Sequence, residues 1–218
     1  MKKGCIFDLD GTLVDSLFDL ALSCNKVLEN HGLPIHEVSA YNRFVGNGIR
    51  KLVERALGEN HQDILEECLS EFSIIYDQCC LENTNPYPGM KELIDQLYDE
   101  GYKLAIVTNK PHHLAVKIVE YVFPNRFISI LGQQDLYPTK PNPQSTHLAL
   151  MAMKLSKDDC VFIGDSDVDI ETGYHANMDT IGVCWGFRGE KELKQAGATY
   201  IVAYPNEIKG VLCYDRSK

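Results

Sequence analysis

Two aspartates follow a short apolar run near the start of the chain. Cys5-Ile6-Phe7 has the length and composition of a buried strand. After it come Asp8 and Asp10, then Gly11 and Thr12. Side chains two residues apart on extended backbone leave the same face, so both carboxylates are expected to lie together where the strand ends. The fragment alone is explained more simply as an Asp-x-Asp-Gly surface turn, and it is the later stretches that favour a catalytic site.

Polar side chains also follow later apolar stretches of the chain. Thr108-Asn109-Lys110 ends a strand-like run and precedes Pro111, where a helix N-terminus could hold an anion. Lys140 lies in a later loop, and Asp165–Asp169 follows the apolar run Cys160–Gly164. Ligands of open α/β sheets bind beyond the carboxyl ends of the strands. These side chains are therefore expected to converge on one rim.

This set of groups suits a phosphate ester bound with a divalent cation. Mg²⁺ prefers hard oxygen ligands, which Asp8, Asp165 and the backbone carbonyl of Asp10 could supply. Asp8 is placed to attack phosphorus, and the two anions would repel by about 4 kcal/mol at about 4 Å and an effective dielectric near 20. Mg²⁺ and Lys140 would offset that repulsion. Asp10 would serve as general acid and then as general base for hydrolysis of an aspartyl-phosphate on Asp8.

Each fragment also has a simpler explanation. Asp165–Asp169 has the opening spacing of a calcium loop, but Ile170 and Ala176 stand where that loop needs glycine and glutamate. Lys140 alone is more simply a solvated loop lysine, and Thr108-Asn109 alone an ordinary strand end and helix cap. Only their occurrence in one chain favours a site.

The composition is that of an ordinary globular protein: 218 residues, 44% hydrophobic and 24% charged. A net charge of −10 without a Lys/Arg cluster argues against a nucleic-acid partner. The sequence contains no apolar run of 18 residues, so no membrane span is predicted. Eight cysteines without a secretory signal predict reduced thiols in a cytoplasmic protein, with Cys24, Cys68 and Cys79 in the core. Cys79-Cys80 lacks the C-x-x-C spacing of zinc sites. The sequence gives no indication of the oligomeric state.

The apolar periodicity predicts an α/β fold with an insertion. From Asp15 to about Thr84 the spacing is helical, whereas the chain beyond alternates helices with short apolar strands. Such strands indicate a parallel sheet covered on both faces. We predict a doubly wound, Rossmann-like core formed by residues 1–14 and 85–218, with residues 15–84 inserted as an all-helical cap.

The predicted elements have definite bounds. Strands after the first are expected at Lys103–Thr108, Phe127–Leu131, Cys160–Gly164, Thr180–Cys184 and Tyr200–Val202. Helices of the insertion are expected from Leu17 towards Gly32, at Pro34–Phe44, at Ile49–Leu57 and at Glu59–Leu81. Helices of the core are expected at Met90–Glu100, Pro111–Val122, Gln144–Lys154, Val168–Ala176, Glu190–Ala196 and from Pro205 onward.

Four of these stretches, in this order, resemble the signature motifs of the haloacid-dehalogenase-like hydrolase superfamily, in particular its phosphoglycolate phosphatase-like branch. The matching stretches are Asp8–Ser16, Val107–Pro111, Lys140-Pro141 and Gly164–Asp169. Smaller likenesses to the branch lie at Gly46-Asn47-Gly48, Arg55-Ala56-Leu57, Tyr87-Pro88-Gly89 and Trp185–Arg188. One departure is Pro141–Gln144, where relatives often carry an acidic residue. The resemblance covers essentially the whole chain.

The resemblance implies a role for each motif residue. Asp8 would be the nucleophile, and Asp10 the acid/base and a magnesium ligand through its backbone. Thr108 and Lys140 would lie at the phosphate. Asp165 would bind magnesium, with Asp169 supporting that shell. The helical insertion would be a mobile cap.

Together these observations predict a Mg²⁺-dependent phosphatase for small phosphate monoesters such as phosphoglycolate. Gly11, Thr12 and Asn109 are expected to bind substrate, and Arg43 of the cap to contact a substrate carboxylate. A cap that closes would admit a small phosphorylated metabolite and exclude a phosphoprotein. A sugar-phosphate mutase or phosphotransferase of the same fold is the alternative. A dehalogenase would not need Asp10, and a non-catalytic phospho-ligand-binding module would not need a nucleophile beside an acid.

Overall fold

A computed structural model of the chain describes residues 2–213. The strands are β1 (Gly4–Phe7), β2 (Val14–Asp15), β3 (Asn85–Pro86), β4 (Lys103–Pro111), β5 (Ser129–Gln133), β6 (Cys160–Gly164), β7 (Asp179–Val183) and β8 (Tyr200–Val202). The helices are α1 (Leu17–Asn30), α2 (Tyr41–Phe44), α3 (Ile49–Leu57), α4 (Leu65–Cys79), α5 (Met90–Asp99), α6 (His112–Val122), α7 (Gln144–Met153), α8 (Asp167–His175), α9 (Glu190–Gln195) and α10 (Glu207–Cys213). Short 3₁₀ helices lie at Val38–Ala40, Glu59–Ile64 and Lys157–Asp159.

β1 lies at the centre of a six-stranded sheet with the order β5-β4-β1-β6-β7-β8. Every neighbouring pair in this sheet is parallel, with β4 on one side of β1 and β6 on the other. The chain builds outward from β1 to β5, returns to the other side of β1, and builds outward again to β8. An open α/β sheet binds ligands where the strand order reverses in this way. The carboxyl end of β1 is therefore the expected site.

Helices cover both faces of the sheet, as the alternation of side chains along β1 shows. Cys5 and Phe7 belong to one buried apolar cluster, whereas Ile6 belongs to a second on the opposite face. The first cluster contains apolar residues of α5, α6 and α10, and the second contains those of α7. The predicted doubly wound α/β core is confirmed.

The chain between β2 and β3 forms α1 to α4 and two of the 3₁₀ helices. We call residues 16–84 the helical segment. α1 packs along α4, and Tyr41, Phe72 and Tyr76 are fully buried inside the segment. The structure thus contains the inserted helices that the sequence predicts. The division into a core of residues 1–14 and 85–218 and a cap of residues 15–84 stays a prediction.

The helical segment joins the sheet through a narrow connection. β2 pairs antiparallel with β3, so the outgoing and returning chains lie side by side. The buried carboxylate of Asp19 in α1 accepts hydrogen bonds from the backbone N–H groups of Asn83 and Thr84, at 2.8 to 3.1 Å, and from both of their side chains. We call β2, β3 and Asp19 the neck.

Two predicted helices of the segment are shorter than the periodicity suggests. The helix predicted at Pro34–Phe44 is reduced to a 3₁₀ turn and α2. The Asn25 side chain exchanges two hydrogen bonds with the backbone of His36, at 2.7 and 3.0 Å, and holds that stretch out of a helix. The helix predicted at Glu59–Leu81 begins only with α4, because the backbone leaves helical angles at His61.

Element ends near the sheet differ as well. β5 begins two residues later than predicted, at Ser129, and the Phe127 ring before it packs edge-on against Phe7, with centroids 6.4 Å apart. β4 runs three residues past Thr108, so α6 starts after Pro111 and not at it. Asp15, expected to open the helical block, belongs to β2. The other predicted ends lie within two residues of those observed.

The eight cysteines are all free in the structure. Cys24 and Cys68 are buried, as predicted. Cys79 is only half-buried, and its thiol lies 3.1 Å from the hydroxyl of Ser23. Within residues 2–213, no helix has the length and apolar composition needed to cross a bilayer.

Candidate active site

The end of β1 and the turn after it position the first two aspartates. The N–H of Asp8 donates to the carbonyl of Ile163 in β6 at 2.9 Å, which extends the parallel pairing one residue beyond the strand. The turn closes where the N–H groups of Leu13 and Val14 donate to the Leu9 carbonyl, at 2.9 and 3.1 Å. Asp8 is thereby fixed by the sheet itself.

Gly11 is required in this turn for two reasons. Its φ of +86° lies in the left-handed region that glycine tolerates best. A Cβ at this position would also lie 2.5 Å from Oδ2 of Asp165, which is too close for any side chain. The turn after β1 therefore packs directly against the carboxylate that follows β6.

The Lys140 side chain contacts both Asp8, the candidate nucleophile, and Asp169 of the fourth motif. Its ammonium lies 2.8 Å from Oδ1 of Asp8 and 2.6 Å from Oδ1 of Asp169, and its side chain is 2% exposed. Burial lowers the pKa of Lys140, but the two carboxylates outweigh burial and hold this pKa above its ordinary value. Lys140 is thus a permanent positive charge beside Asp8.

Asn109 holds the loop that carries Lys140. Its side-chain oxygen accepts from the Lys140 N–H at 2.8 Å, and its side-chain nitrogen donates to the Lys140 carbonyl at 3.2 Å. The same nitrogen lies 3.2 Å from the carbonyl of Gly46 in the helical segment. The second motif therefore positions the third, a role that sequence reasoning did not assign to Asn109.

Asp8, Asp165 and Asp169 form a compact group of buried carboxylates. One oxygen from each lies within 4.8 Å of the others. Asp165 accepts from the Thr12 hydroxyl at 3.1 Å and from the Phe187 N–H at 2.8 Å. These bonds fix the position of the Asp165 carboxylate.

Asp169 is held differently within this group. One of its oxygens accepts from the N–H and hydroxyl of Ser166, at 3.1 and 2.7 Å, and caps α8. The other oxygen pairs with Lys140. Asp169 therefore links the start of α8 to Lys140 and orients the Lys140 ammonium.

The carboxylate group fits a hard divalent cation. Burial raises the pKa of Asp8 to about 6, against the opposing charge of Lys140, and burial also raises the pKa of Asp165 well above its ordinary value. Oδ1 of Asp8 is buried and, within the described residues, accepts no hydrogen bond of acceptable angle, although the Lys140 ammonium is 2.8 Å away. Clustered oxygen donors with excess negative charge are the ligands that Mg²⁺ takes.

Asp10 belongs to a second polar cluster, beside the first. Its Oδ1 accepts from the Ser16 hydroxyl at 2.5 Å and from the Lys110 ammonium at 2.9 Å. Lys110 also donates to the hydroxyl of Tyr76 in α4 at 2.6 Å. From the sequence, Lys110 is expected only at the end of a strand-like run, because its partner Tyr76 stands 34 residues away in the helical segment.

A partly open cavity lies between the two clusters and the helical segment. Its volume is about 40 Å³, counted as space open to the centres of water molecules, which is room for about three waters. The core side is lined by Asp8, Asp10, Thr108, Asn109 and Lys110, and the segment side by Leu20, Val45, Gly46, Gly48, Ile49 and Leu52. Of these described lining residues, those from the segment carry no charge. The segment therefore covers the site with an apolar surface.

Three predicted substrate-binding residues have other contacts in this structure. The Thr12 hydroxyl donates to Asp165, Gly11 packs against the same carboxylate, and Asn109 holds the Lys140 loop. Arg43 is exposed and lines an open crevice outside the cavity, together with Arg55 and others. The predicted contacts of these four residues with substrate stay predictions.

Arg188 ties the core to the helical segment, which sequence reasoning did not foresee. Its guanidinium donates to the carbonyl of Asn42 and, at 2.9 Å, to that of Val45, at the carboxyl end of α2. It also pairs with Glu192 at 3.1 Å. These carbonyls have no partner within a short helix, so a cation there is favourable.

The loop that carries Arg188 also packs on the carboxylate group. The indole N–H of Trp185 donates to the Thr12 carbonyl at 3.0 Å. A Cβ on Gly186 would lie 2.3 Å from that of Asp165, so only glycine fits there. One loop therefore contacts both Asp165 and the helical segment.

The fold and these residues define the class of protein. The sequence model of the haloacid dehalogenase-like hydrolase family matches residues 5–183, a range that includes all four motifs. The chain belongs to this family, and it is an enzyme, a phosphatase of the family. The fold class and family predicted from the sequence are confirmed.

Similar proteins of known name cover nearly the whole chain. The phosphoglycolate phosphatase of Colwellia psychrerythraea strain 34H is 33% identical over 216 residues, which are 95% of each protein. That of Psychrobacter arcticus is 34% identical over 207 residues, covering 91% of this chain and 90% of the relative. A crystal structure of a Lactobacillus delbrueckii subsp. bulgaricus protein superposes with a TM-score of 0.93 at 33% identity, covering 99% of this chain and 100% of the other. A predicted phosphoglycolate phosphatase from Haemophilus somnus 129Pt gives 0.88 at 30% identity, covering 96% and 97%.

Proposed function

We propose that this phosphatase is Mg²⁺-dependent and hydrolyses small phosphate monoesters, with phosphoglycolate as the first candidate, through an aspartyl-phosphate on Asp8. The observation that carries the proposal is the environment of Asp8. Its carboxylate lies at the end of the central strand, where its buried Oδ1 is 2.8 Å from the permanent ammonium of Lys140. Relatives named phosphoglycolate phosphatase match over almost their full length.

In the first step a carboxylate oxygen of Asp8 attacks phosphorus, and the bond between phosphorus and the leaving oxygen breaks. Lys140 faces Asp8 and the incoming phosphoryl group, and its charge offsets their repulsion. Bound Mg²⁺, held by Asp8, Asp165 and the backbone carbonyl of Asp10, would supply further positive charge to the phosphoryl oxygens. Asp169 would support this arrangement through Lys140.

Asp10 manages the protons of both steps. Its carboxyl group gives a proton to the leaving oxygen in the first step. In the second step the Asp10 carboxylate takes a proton from the water that attacks the aspartyl-phosphate, which releases phosphate and restores Asp8. Asp8 and Asp10 line the same cavity, as this division of roles requires.

The helical segment supports the choice of a small substrate. With the segment seated, the space above Asp8 holds about three waters, so a phosphoprotein cannot be enclosed. A small ester can enter when the segment opens and be shielded from bulk water when it closes. The alternative function of mutase or phosphotransferase differs only in the acceptor of the phosphoryl group.

The nucleophile assignment predicts that Asp8→Asn keeps the fold and loses turnover by about 1,000-fold or more, since the amide cannot attack phosphorus. Release of inorganic phosphate from phosphoglycolate and a panel of small esters, with and without Mg²⁺, measures this. Beryllium fluoride with Mg²⁺ should form its adduct on the Asp8 carboxylate. Full activity in excess chelator, or an adduct on a different residue, would refute the proposal.

A further inference from the structure

The ammonium of Lys110 is buried in the wall of the cavity. Its side chain is 1% exposed, and three acceptor oxygens lie within hydrogen-bond distance. They are Oδ1 and Oδ2 of Asp10, at 2.9 and 3.1 Å, and the hydroxyl of Tyr76, at 2.6 Å. An ammonium has three N–H donors, so these acceptors use the full capacity of Lys110. Lys110 therefore acts on Asp10 and leaves no donor for the substrate.

Tyr76 brings the helical segment into this cluster. It lies in α4, is fully buried, and stacks on Phe72 with ring centroids 5.4 Å apart. The stacking fixes the ring, so its hydroxyl is a preorganised acceptor for Lys110. Removing a single partner from a buried ammonium costs much more than a typical hydrogen bond contributes. The position of Lys110 thus depends on Tyr76.

The cluster of Tyr76, Lys110 and Asp10 links the helical segment to the core at Asp10, the proposed acid/base. Lys110 stands at the end of β4 and Asp10 follows β1, whereas Tyr76 approaches from α4. Asp10 has a further donor, the Ser16 hydroxyl at 2.5 Å, at the start of the helical segment. A carboxylate held by both donors has a fixed position, and proton transfer needs that position to within about 1 Å.

We propose that Lys110 and Tyr76 are positioning residues for Asp10: the Tyr76 hydroxyl holds the Lys110 ammonium, which fixes the Asp10 carboxylate for proton transfer only while α4 is seated on the core. This inference rests on the proposed function, in which Asp10 is the general acid and base. It assigns to one hydroxyl of the helical segment a direct effect on the proton-transfer step. Closing the segment then does more than exclude water, because it completes the cluster around Asp10.

The leaving group of the substrate distinguishes this role from a structural one. An alkyl phosphate needs a proton on its leaving oxygen, whereas p-nitrophenyl phosphate departs without one. Tyr76→Phe keeps the ring and its stacking and removes only the hydroxyl. We expect kcat/KM for an alkyl phosphate to fall about 10-fold or more, and kcat/KM for p-nitrophenyl phosphate to fall less than about 3-fold.

A matched control and a second variant complete the test. Tyr41→Phe removes another buried hydroxyl of the same segment, bonded to Asn25 at 2.7 Å, and should change both substrates by the same factor. Lys110→Met should reproduce the alkyl-selective loss, and the double variant with Tyr76→Phe should lose no more than Lys110→Met alone. Circular dichroism establishes that each variant is folded.

Beryllium fluoride separates failure of this inference from failure of the proposed function. Tyr76→Phe should still form the adduct on Asp8, because the nucleophile is untouched. If Tyr76→Phe retains full activity, or loses both substrates equally, Tyr76 does not position Asp10 and the inference is overturned. If wild-type protein neither releases phosphate with Mg²⁺ nor forms the adduct on Asp8, the proposed function fails first.

Discussion

The two aspartates after β1 are each paired with a buried lysine, but the lysines are anchored in different parts of the molecule. Lys140 pairs with Asp8 and Asp169, so all its partners belong to the α/β core. Lys110 pairs with Asp10 and with Tyr76 of the helical segment. The charge beside Asp8 is therefore permanent, whereas the cluster around Asp10 needs the segment. Mutations that affect one lysine and spare the other test this difference.

The largest effect is expected from removing the charge of Lys140, whose partners Asp8 and Asp169 both lie in the α/β core. Lys140→Met leaves Asp8 and Asp169 without their cation, and we expect kcat/KM to fall about 1,000-fold or more. In metal-free protein the loss of one partner from a buried ion pair should also lower the free energy of unfolding by about 3 kcal/mol. Phosphate release and urea denaturation measure the two effects. Lys3→Met, which removes an exposed ion pair with Asp159, is the matched control and should change neither by much.

Mg²⁺ should sharpen the comparison, because both of its proposed carboxylate ligands, Asp8 and Asp165, belong to the carboxylate group around Asp8. A carboxylate whose pKa is higher in the folded protein than in the unfolded chain lowers the free energy of unfolding once the pH exceeds its pKa in the unfolded chain. Metal-free protein should therefore lose stability through Asp8 between about pH 4 and about pH 6, and Asp165, whose pKa is also raised by burial, should add to the loss as the pH rises. Mg²⁺ binds the ionised form, so it should raise Tm by several degrees near pH 8 and by less near pH 5.

Asp165→Asn is the control for this effect. The amide keeps the shape of the side chain and removes a charge from the carboxylate group. Thermal scans of this variant should show little or no Mg²⁺-dependent rise in Tm. A rise equal to that of the wild type would place the cation elsewhere.

The smallest effects are expected from substitutions of residues that contact the helical segment outside the cavity. Arg188→Ala removes the donors to the carbonyls of Asn42 and Val45, so the seated position of the segment becomes less populated. We expect KM for small esters to rise about 10-fold, with an alkyl-selective loss like that of Tyr76→Phe, and adduct formation on Asp8 to be retained. Unchanged KM would show that Arg188 does not hold the segment.

Arg43→Ala tests the neighbouring exposed arginine. Its place outside the cavity predicts a change in KM of less than about 2-fold. The sequence-based hypothesis instead predicts that the substitution raises KM for carboxylate-bearing esters more than it raises KM for a neutral aryl phosphate. A steady-state comparison of phosphoglycolate with p-nitrophenyl phosphate decides between the two.

The proximity of Asp8 and Asp165 could be predicted from the sequence, because each directly follows an apolar strand. Asp8 follows β1, and Asp165 follows β6, so a local pattern and the geometry of parallel sheets suffice to bring them together. The sequence also predicts that Lys140 and Asp169 lie at the same rim, although Lys140 belongs to a loop and Asp169 to α8.

The missed contacts join residues far apart in sequence and in different kinds of element. Lys110 meets Tyr76 across 34 residues, and Arg188 meets the Asn42 carbonyl across 146. Tyr76 looks like an ordinary apolar position of α4, because periodicity records which face of a helix is buried and not what its polar atom meets. Tertiary contacts of this kind also shortened the predicted helix at Pro34–Phe44, through Asn25 and His36.

The neck has an evolutionary consequence. Asn83 donates to Asp19 across 64 residues, so the two ends of the helical segment are held together where the segment joins the sheet. Each doubling of such a loop adds only about 0.6 kcal/mol of closure entropy, so insertions of very different length are tolerated at this point. The covering over the rim can therefore be lengthened, shortened or exchanged, and substrate preference with it, while β1, β4 and β6 keep Asp8 and Asp165 in place.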